Sequence, residues 1–198
     1  MNYPLFFDTI EPIVLIDPLA DTLGDFDGGK YTLSYTDIVK AAGHSCPTVA
    51  GAFLMAREGL KHLFPNTPAM RGEVEVFFKE SLHVGVTGVL ANVLTHITGA
   101  TDVSGFKGLN GIFARHGLMH FDCTMQGIMQ LKRRDTQAMV ELTYDPSAIT
   151  PDASMMLLMQ KILSNNANKE EQQRFAMLWQ ERVERIFANV QKVVTVIG

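Results

Sequence analysis

Residues 47–64 are the stretch that most constrains the fold. Apolar residues recur there at the spacing of one helical face while charged residues fall elsewhere, as shown by Val49, Phe53, Ala56, Leu60 and Leu63 against Arg57, Glu58 and Lys61. Pro47 suits the first position of a helix, and Pro65 ends it. Because such a helix has an apolar face to bury, the rest of the chain has to supply a layer that covers it.

The remaining periodicities predict that layer. Residues 73–77 alternate polar and apolar side chains, as a strand with one wet face does. Further strands are predicted at 118–124, 128–132 and 138–143, joined as antiparallel hairpins, with a last strand at 193–197. Helices are predicted at 34–42, 86–97, 153–163 and 169–190, whereas the Pro- and Gly-rich segment 3–30 is expected to be irregular. This order predicts an α+β fold with a modest mixed or antiparallel sheet and C-terminal helices.

The length and charge of the chain exclude several classes of protein. Its 198 residues suit one hydrophobic core, which we predict as a domain over 1–150 with a helical extension, 151–198, packed on it. A net charge of -4 argues against nucleic acid as a partner. Neither a secretory signal nor a membrane-spanning apolar run is present, so we expect a cytoplasmic protein with no membrane partner. Two cysteines are too few for a disulfide framework.

Candidate chemistry concentrates in the run Gly-His-Ser-Cys-Pro at 43–47. Residues two apart in extended chain project to the same side, so His44 and Cys46 can converge on one ion, and both are preferred zinc ligands. With Pro47 opening a helix, Cys46 takes the N-cap position, where free amides favour a thiolate that can bind metal or attack an electrophile. The alternative interpretation is a small buried cysteine beside a satisfied core histidine.

A Gly-His-x-Cys-Pro run that opens a helix rich in small residues resembles the signature of the FmdE-like family of formylmethanofuran dehydrogenase proteins. The runs Thr-Gly-Ala-Thr at 98–101 and Gly-Phe-Lys-Gly-Leu-Asn at 105–110 are similar to that family's Thr-Gly-Cys-Thr run and Gly-Lys-Gly-Asn loop. The resemblance covers residues 31–144. It implies a fold like the C-terminal domain of glyceraldehyde-3-phosphate dehydrogenase, a mixed sheet with helices on one face. It also implies a metal held by His44 and Cys46, either zinc or another divalent transition metal such as nickel.

This sequence departs from the family pattern at three positions. Ala42 replaces an additional histidine, Thr48 a glycine, and Ala100 the cysteine of the second run. Because a tetrahedral zinc site needs three protein ligands plus water, or four, one expected ligand is missing. We predict that His83, at a strand-to-helix junction, supplies it. Weaker candidates are His62, His96 and a second cluster of His116, His120 and Cys123.

Two residues near the second run complete the predicted site. Lys107 matches the loop lysine of the family, and we predict that it binds a small anionic ligand near the metal. The loop lacks the spacing that cradles phosphates, so no nucleotide is expected. Asp102 is predicted to act catalytically as a general base, or to support a metal ligand. Cys46 is the other predicted catalytic residue.

Three functions remain open at this stage. The first is a metal-dependent enzyme or metal carrier with an open coordination position. The second is a metal-free thiol enzyme, with Cys46 as nucleophile and His44 as base. The third is a structural or assembly protein, suggested by the Met-rich segment 153–163 and the helix that carries Trp179. We also expect a homodimer formed through the C-terminal helices. Neither the residues nor the resemblance identifies a reaction or a substrate.

Overall fold

The computed structural model describes residues 3–197 and confirms the α+β fold. The strands are β1 (Ile13–Ile16), β2 (Lys30–Leu33), β3 (Ala69–Met70), β4 (Val74–Phe78), β5 (Met119–His120), β6 (Met129–Arg133), β7 (Met139–Tyr144) and β8 (Val194–Ile197). The helices are α1 (Pro18–Leu23), α2 (Tyr35–Ala42), α3 (Pro47–Leu63), α4 (Thr87–Thr98), α5 (Met155–Leu163), α6 (Lys169–Ala188) and α7 (Val190–Val193).

The strands form two sheets. In the smaller one, of order β2-β1-β3, β1 is antiparallel to β2 and parallel to β3. The larger one has the order β5-β4-β6-β7-β8, with β4 and β5 parallel and the other neighbours antiparallel. The expectation that residues 3–30 are irregular is wrong, because the apolar β1 is the central strand of the smaller sheet. The hairpin prediction holds for β6 and β7 but fails for β5, whose two residues pair in parallel with β4.

Helix α3 is the centre of the core. It packs on the inward face of β6, β7 and β8, and α2, α4 and α6 pack around it. Phe53 and Leu54 are completely buried, as are Leu131 and Leu142 on the facing strands. The sequence pattern places Arg57 outside the apolar face of α3. It is nevertheless buried, because neighbours cover α3 on nearly every side.

The residues after 150 contribute to both the sheet and the core. Helices α5 and α6 pack on each other, and α6 packs along α3 with Val183 and Ile186 completely buried. Strand β8 completes the larger sheet beside β7. None of the helices within residues 3–197 combines the length and the apolar character needed to cross a membrane.

Candidate functional site

The predicted metal ligands His44 and Cys46 lie in the turn between α2 and α3. Gly43 ends α2 with φ of 79°, a left-handed conformation that glycine adopts without strain, so the chain changes direction sharply there. Cys46 is the extended N-cap residue of α3, and its Sγ accepts a hydrogen bond from the Val49 N–H at 3.4 Å. The thiol is half-buried, at a helix end that favours negative charge.

The imidazole of His44 is exposed and oriented by its own backbone. Nδ1 lies 3.1 Å from the Ala42 carbonyl oxygen, so a proton on Nδ1 is donated to that carbonyl and Nε2 carries the free lone pair. Proteins commonly orient a metal-bound histidine in this way. The turn therefore presents one nitrogen and one sulfur donor.

Helix α6 covers this turn, which sequence reasoning did not anticipate. The Trp179 Nε1–H donates to the Ser45 carbonyl oxygen at 2.9 Å, and Gln180 Nε2 approaches the same oxygen at 3.4 Å. On the other side, the Ser45 hydroxyl is hydrogen-bonded to the Tyr35 hydroxyl at 2.9 Å. The residue between the two predicted ligands is thus held through both its backbone and its side chain. The sequence held one indication of this contact, which was Trp179 itself. An indole N–H that the fold covers needs an acceptor.

The end of β7 fixes the start of α3. The Tyr144 hydroxyl donates to the Pro47 carbonyl oxygen at 2.6 Å, and its ring lies over Gly51, where a Cβ would stand 2.3 Å from a ring carbon. Burial raises the pKa of Tyr144 and of Tyr35 above their ordinary value, so both hydroxyls stay protonated at neutral pH. The beginning of α3 therefore lies at the carboxyl end of β7, which is also the carboxyl end of the parallel β4 and β5.

The structure does not bring His83 to His44 and Cys46. His83 lies exposed in the turn between β4 and α4, at the same end of the sheet. Across residues 3–197, no three His, Cys, Asp or Glu side chains come together as a metal site. His62 on α3 and His96 on α4 are also exposed. Within residues 3–197, no third side chain of these types therefore joins His44 and Cys46 in their turn.

The second histidine cluster is dispersed. His116 is exposed, whereas His120 stacks on Phe77 with ring centroids 4.6 Å apart and has its Nε2 3.7 Å from Glu75 Oε1. The Cys123 thiol donates to the Phe121 carbonyl oxygen at 3.5 Å. Burial raises the pKa of this thiol, so it is less readily ionised than a free cysteine.

Asp102 and Lys107 lie in the loop between α4 and β5. Their loop leaves the C-terminus of α4, where the Gly72 N–H, just before β4, donates to the Thr98 carbonyl oxygen at 2.8 Å. It returns where the Leu118 N–H, just before β5, donates to the Thr101 carbonyl oxygen at 2.9 Å. The loop therefore meets the amino ends of β4 and β5.

Asp102 and Lys107 differ in their surroundings. Asp102 lines a cleft of about 260 Å³ beside α4, and its Oδ1 accepts hydrogen bonds from the Ser104 N–H at 3.0 Å and hydroxyl at 2.9 Å. These bonds hold the pKa of the Asp102 carboxyl below its usual range, which makes it a weak base. Lys107 is exposed, and its ammonium forms no ion pair within the described part of the chain.

A buried ion cluster anchors this loop. Arg115 Nη2 donates to Asp17 Oδ1 at 2.6 Å, and Arg71 Nη1 donates to Asp17 Oδ2 at 3.0 Å. Asp17 also caps α1 by accepting from the Leu19 N–H at 2.9 Å. The loop of Asp102 and Lys107 is therefore tied to the smaller sheet, and not to the turn of Cys46.

Known families give one match that spans most of the chain. Residues 41–195 match the family described as "FmdE, Molybdenum formylmethanofuran dehydrogenase operon". The match includes both runs that carry the resemblance and extends past residue 144 through α6 into β8. No curated protein and no solved structure matches the chain.

Proposed function

Since this chain belongs to the FmdE family, we propose that it binds a divalent transition metal, zinc or a similar ion such as nickel, at His44 and Cys46. The observation that carries the proposal is the construction of their turn. The Ala42 carbonyl engages Nδ1 of His44 and leaves Nε2 as a donor, and the N-cap position holds the Cys46 thiol at the start of α3. Imidazole nitrogen and thiolate sulfur are preferred ligands of these ions.

The types of donor fit such an ion, but their number does not complete a zinc shell. Zinc sites have three or four protein ligands, and within residues 3–197 no third side chain joins His44 and Cys46. His83 stays the predicted third ligand, and its exposed turn would have to move toward Cys46 to fill that role. We therefore propose binding of the ion and no reaction at it.

Metal content of the purified protein tests this proposal. After loading with zinc and desalting, mass spectrometry should find bound metal in the wild type and most of it lost in Cys46→Ser and His44→Ala. His62→Ala is the matched control, because it removes an exposed histidine near the other end of α3. Unchanged metal content in Cys46→Ser would contradict the proposal. A loss in His83→Ala would add that residue to the ligands.

The second candidate function is a metal-free thiol enzyme. It is favoured by the Val49 N–H bond to Cys46 Sγ at the N-terminus of a 17-residue helix. Cys123, whose pKa burial raises, provides an internal comparison. After chelator treatment, Cys46 should react with iodoacetamide faster than Cys123. Added zinc should slow the reaction of Cys46 only if the metal proposal holds. Equal reactivity of the two thiols would contradict a nucleophilic Cys46.

Further proposals concern the surroundings of this centre. We propose a homodimer formed through the C-terminal helices, because α5 exposes Met156, Leu157 and Leu163 at 69%, 57% and 77%. A structural or assembly role would use the same surface.

Exposure of Lys107 supports the proposed small anionic ligand. The two free cysteines support the proposed cytoplasmic location.

A further inference from the structure

Arg57 is a buried cation in the second half of α3, away from the turn that holds Cys46. Its side chain is 10% exposed. Nε donates to Glu58 Oε1 at 2.8 Å, and Nη1 reaches the Glu11 carbonyl oxygen only at 3.5 Å. Over residues 3–197, Nη2 donates no hydrogen bond. A guanidinium has five N–H groups, so the two Nη groups of Arg57 keep donors without a protein acceptor at good hydrogen-bond distance.

Arg57 lines a cleft of about 360 Å³ and also borders a neighbouring one that Glu184 lines. The cleft lies between α3, the residues that lead into β1, and the loop that runs from Phe64 to β3. Its walls are mostly apolar, including Pro12, Val14, Phe64 and Pro65, and the charged groups are few. Volume and lining are those of a site for a small molecule that is held by a few polar contacts.

The charges of the cleft show which ligand fits. Arg57 and Lys61 are cationic and Glu11 is the one anion among the lining residues. Glu11 Oε2 lies 2.5 Å from Lys61 Nζ but 4.0 Å from Arg57 Nη1, beyond hydrogen-bond distance. The hydrogen bond from Lys61 lowers the pKa of Glu11, so this carboxylate is ionised at neutral pH. Glu58 pairs with Nε of Arg57 and balances its charge there, but neither Glu11 nor Glu58 places a carboxylate within hydrogen-bond distance of the two Nη groups.

We propose that this cleft binds a small organic carboxylate. The carboxylate accepts two hydrogen bonds from the planar Arg57 guanidinium and is attracted by Lys61, while an apolar body lies against Phe64 and the prolines. Glu11, whose side chain is 58% exposed at the mouth of the cleft, competes with the ligand for both cations. The site is separate from the proposed metal centre, because Lys61 and Phe64 lie at the end of α3 opposite to Cys46.

Benzoate is the probe, and its neutral isostere benzamide is the control ligand. In amide-detected NMR titrations of the full chain, benzoate should saturably shift the signals of residues 11–14 and 57–69, and benzamide should not. Arg57→Met should weaken benzoate binding by about tenfold or more, because charge-assisted hydrogen bonds are lost. Glu11→Gln should strengthen it about two- to fivefold, because a competing surface charge is removed.

Lys61→Met and Lys40→Met keep the test decisive if Arg57→Met does not fold. Lys61 is half-exposed and lines the cleft, whereas Lys40 is exposed on α2. Only Lys61→Met should weaken binding. Equal binding of benzoate and benzamide, weaker binding in Glu11→Gln, or shifts that map elsewhere would overturn the proposal. Equal binding of inorganic phosphate would overturn the organic-carboxylate class.

Discussion

Replacing Trp179 with Phe tests whether α6 controls access to Cys46. The substitution keeps an aromatic ring beside Phe175 but removes the 2.9 Å hydrogen bond from Nε1 to the Ser45 carbonyl oxygen. Gln180, at 3.4 Å, remains as a weaker donor to that oxygen. Losing one such bond costs about 1 kcal/mol, so if alkylation of Cys46 requires α6 to move away, its rate should rise about fivefold.

The assay is the rate of iodoacetamide alkylation, followed by mass spectrometry in a Cys123→Ser background so that one thiol reports. Urea unfolding of the same proteins measures the global loss of stability. Phe175→Leu is the matched control, because it disturbs the ring that packs on Trp179 but keeps the bond to Ser45. An alkylation rate that stays unchanged in Trp179→Phe while the free energy of unfolding falls would refute the reasoning, since the thiol would then be open in the native state.

Two further predictions concern the assembly and the Asp102 loop. The chain should sediment at micromolar concentration as a dimer of 21.9 kDa subunits, and Leu163→Glu should dissociate it; a monomeric wild type would contradict the interface on α5. Ser104→Ala should raise the depressed pKa of Asp102 toward its usual value, as measured by carbon-detected NMR titration. Because the folded pKa is the lower one, this carboxylate stabilises the loop fully above its unfolded pKa and loses that effect as pH falls through the folded pKa. In Ser104→Ala the effect should therefore be smaller and its loss complete at a higher pH, and an unshifted titration would contradict the prediction.

Features of the fold that depend on near neighbours could be predicted from the sequence. Helix α2 begins at the Ser34 cap and ends at Gly43, and α4 ends at Gly99, as the capping residues indicate. The apolar periodicity likewise located α3 to within one residue. The turn of His44 and Cys46 could also be predicted from near neighbours, because Pro47 and the N-cap position are adjacent in the chain.

Features that depend on distant pairing could not be predicted. Strand β1 becomes a central strand only through β2 and β3, and Arg115 meets Asp17 across 98 residues. The expectation that Asp102 and Lys107 stand near Cys46 came from their shared family runs. In the structure their loop starts where α4 ends, beside the residues that precede β4. Sequence periodicity contains no information about which end of a sheet a loop reaches.

The hydrogen bond between Ser45 and Trp179 also has a consequence for the order in which the protein is made. Its partners are 134 residues apart, so the ribosome completes the turn of His44 and Cys46 long before it delivers the helix that covers it. At about 5 to 20 residues per second, that interval lasts about 7 to 27 seconds. During that interval the turn that carries the Cys46 thiol lacks its contact with α6, so the thiol can meet metal ions or oxidants before that helix is in place.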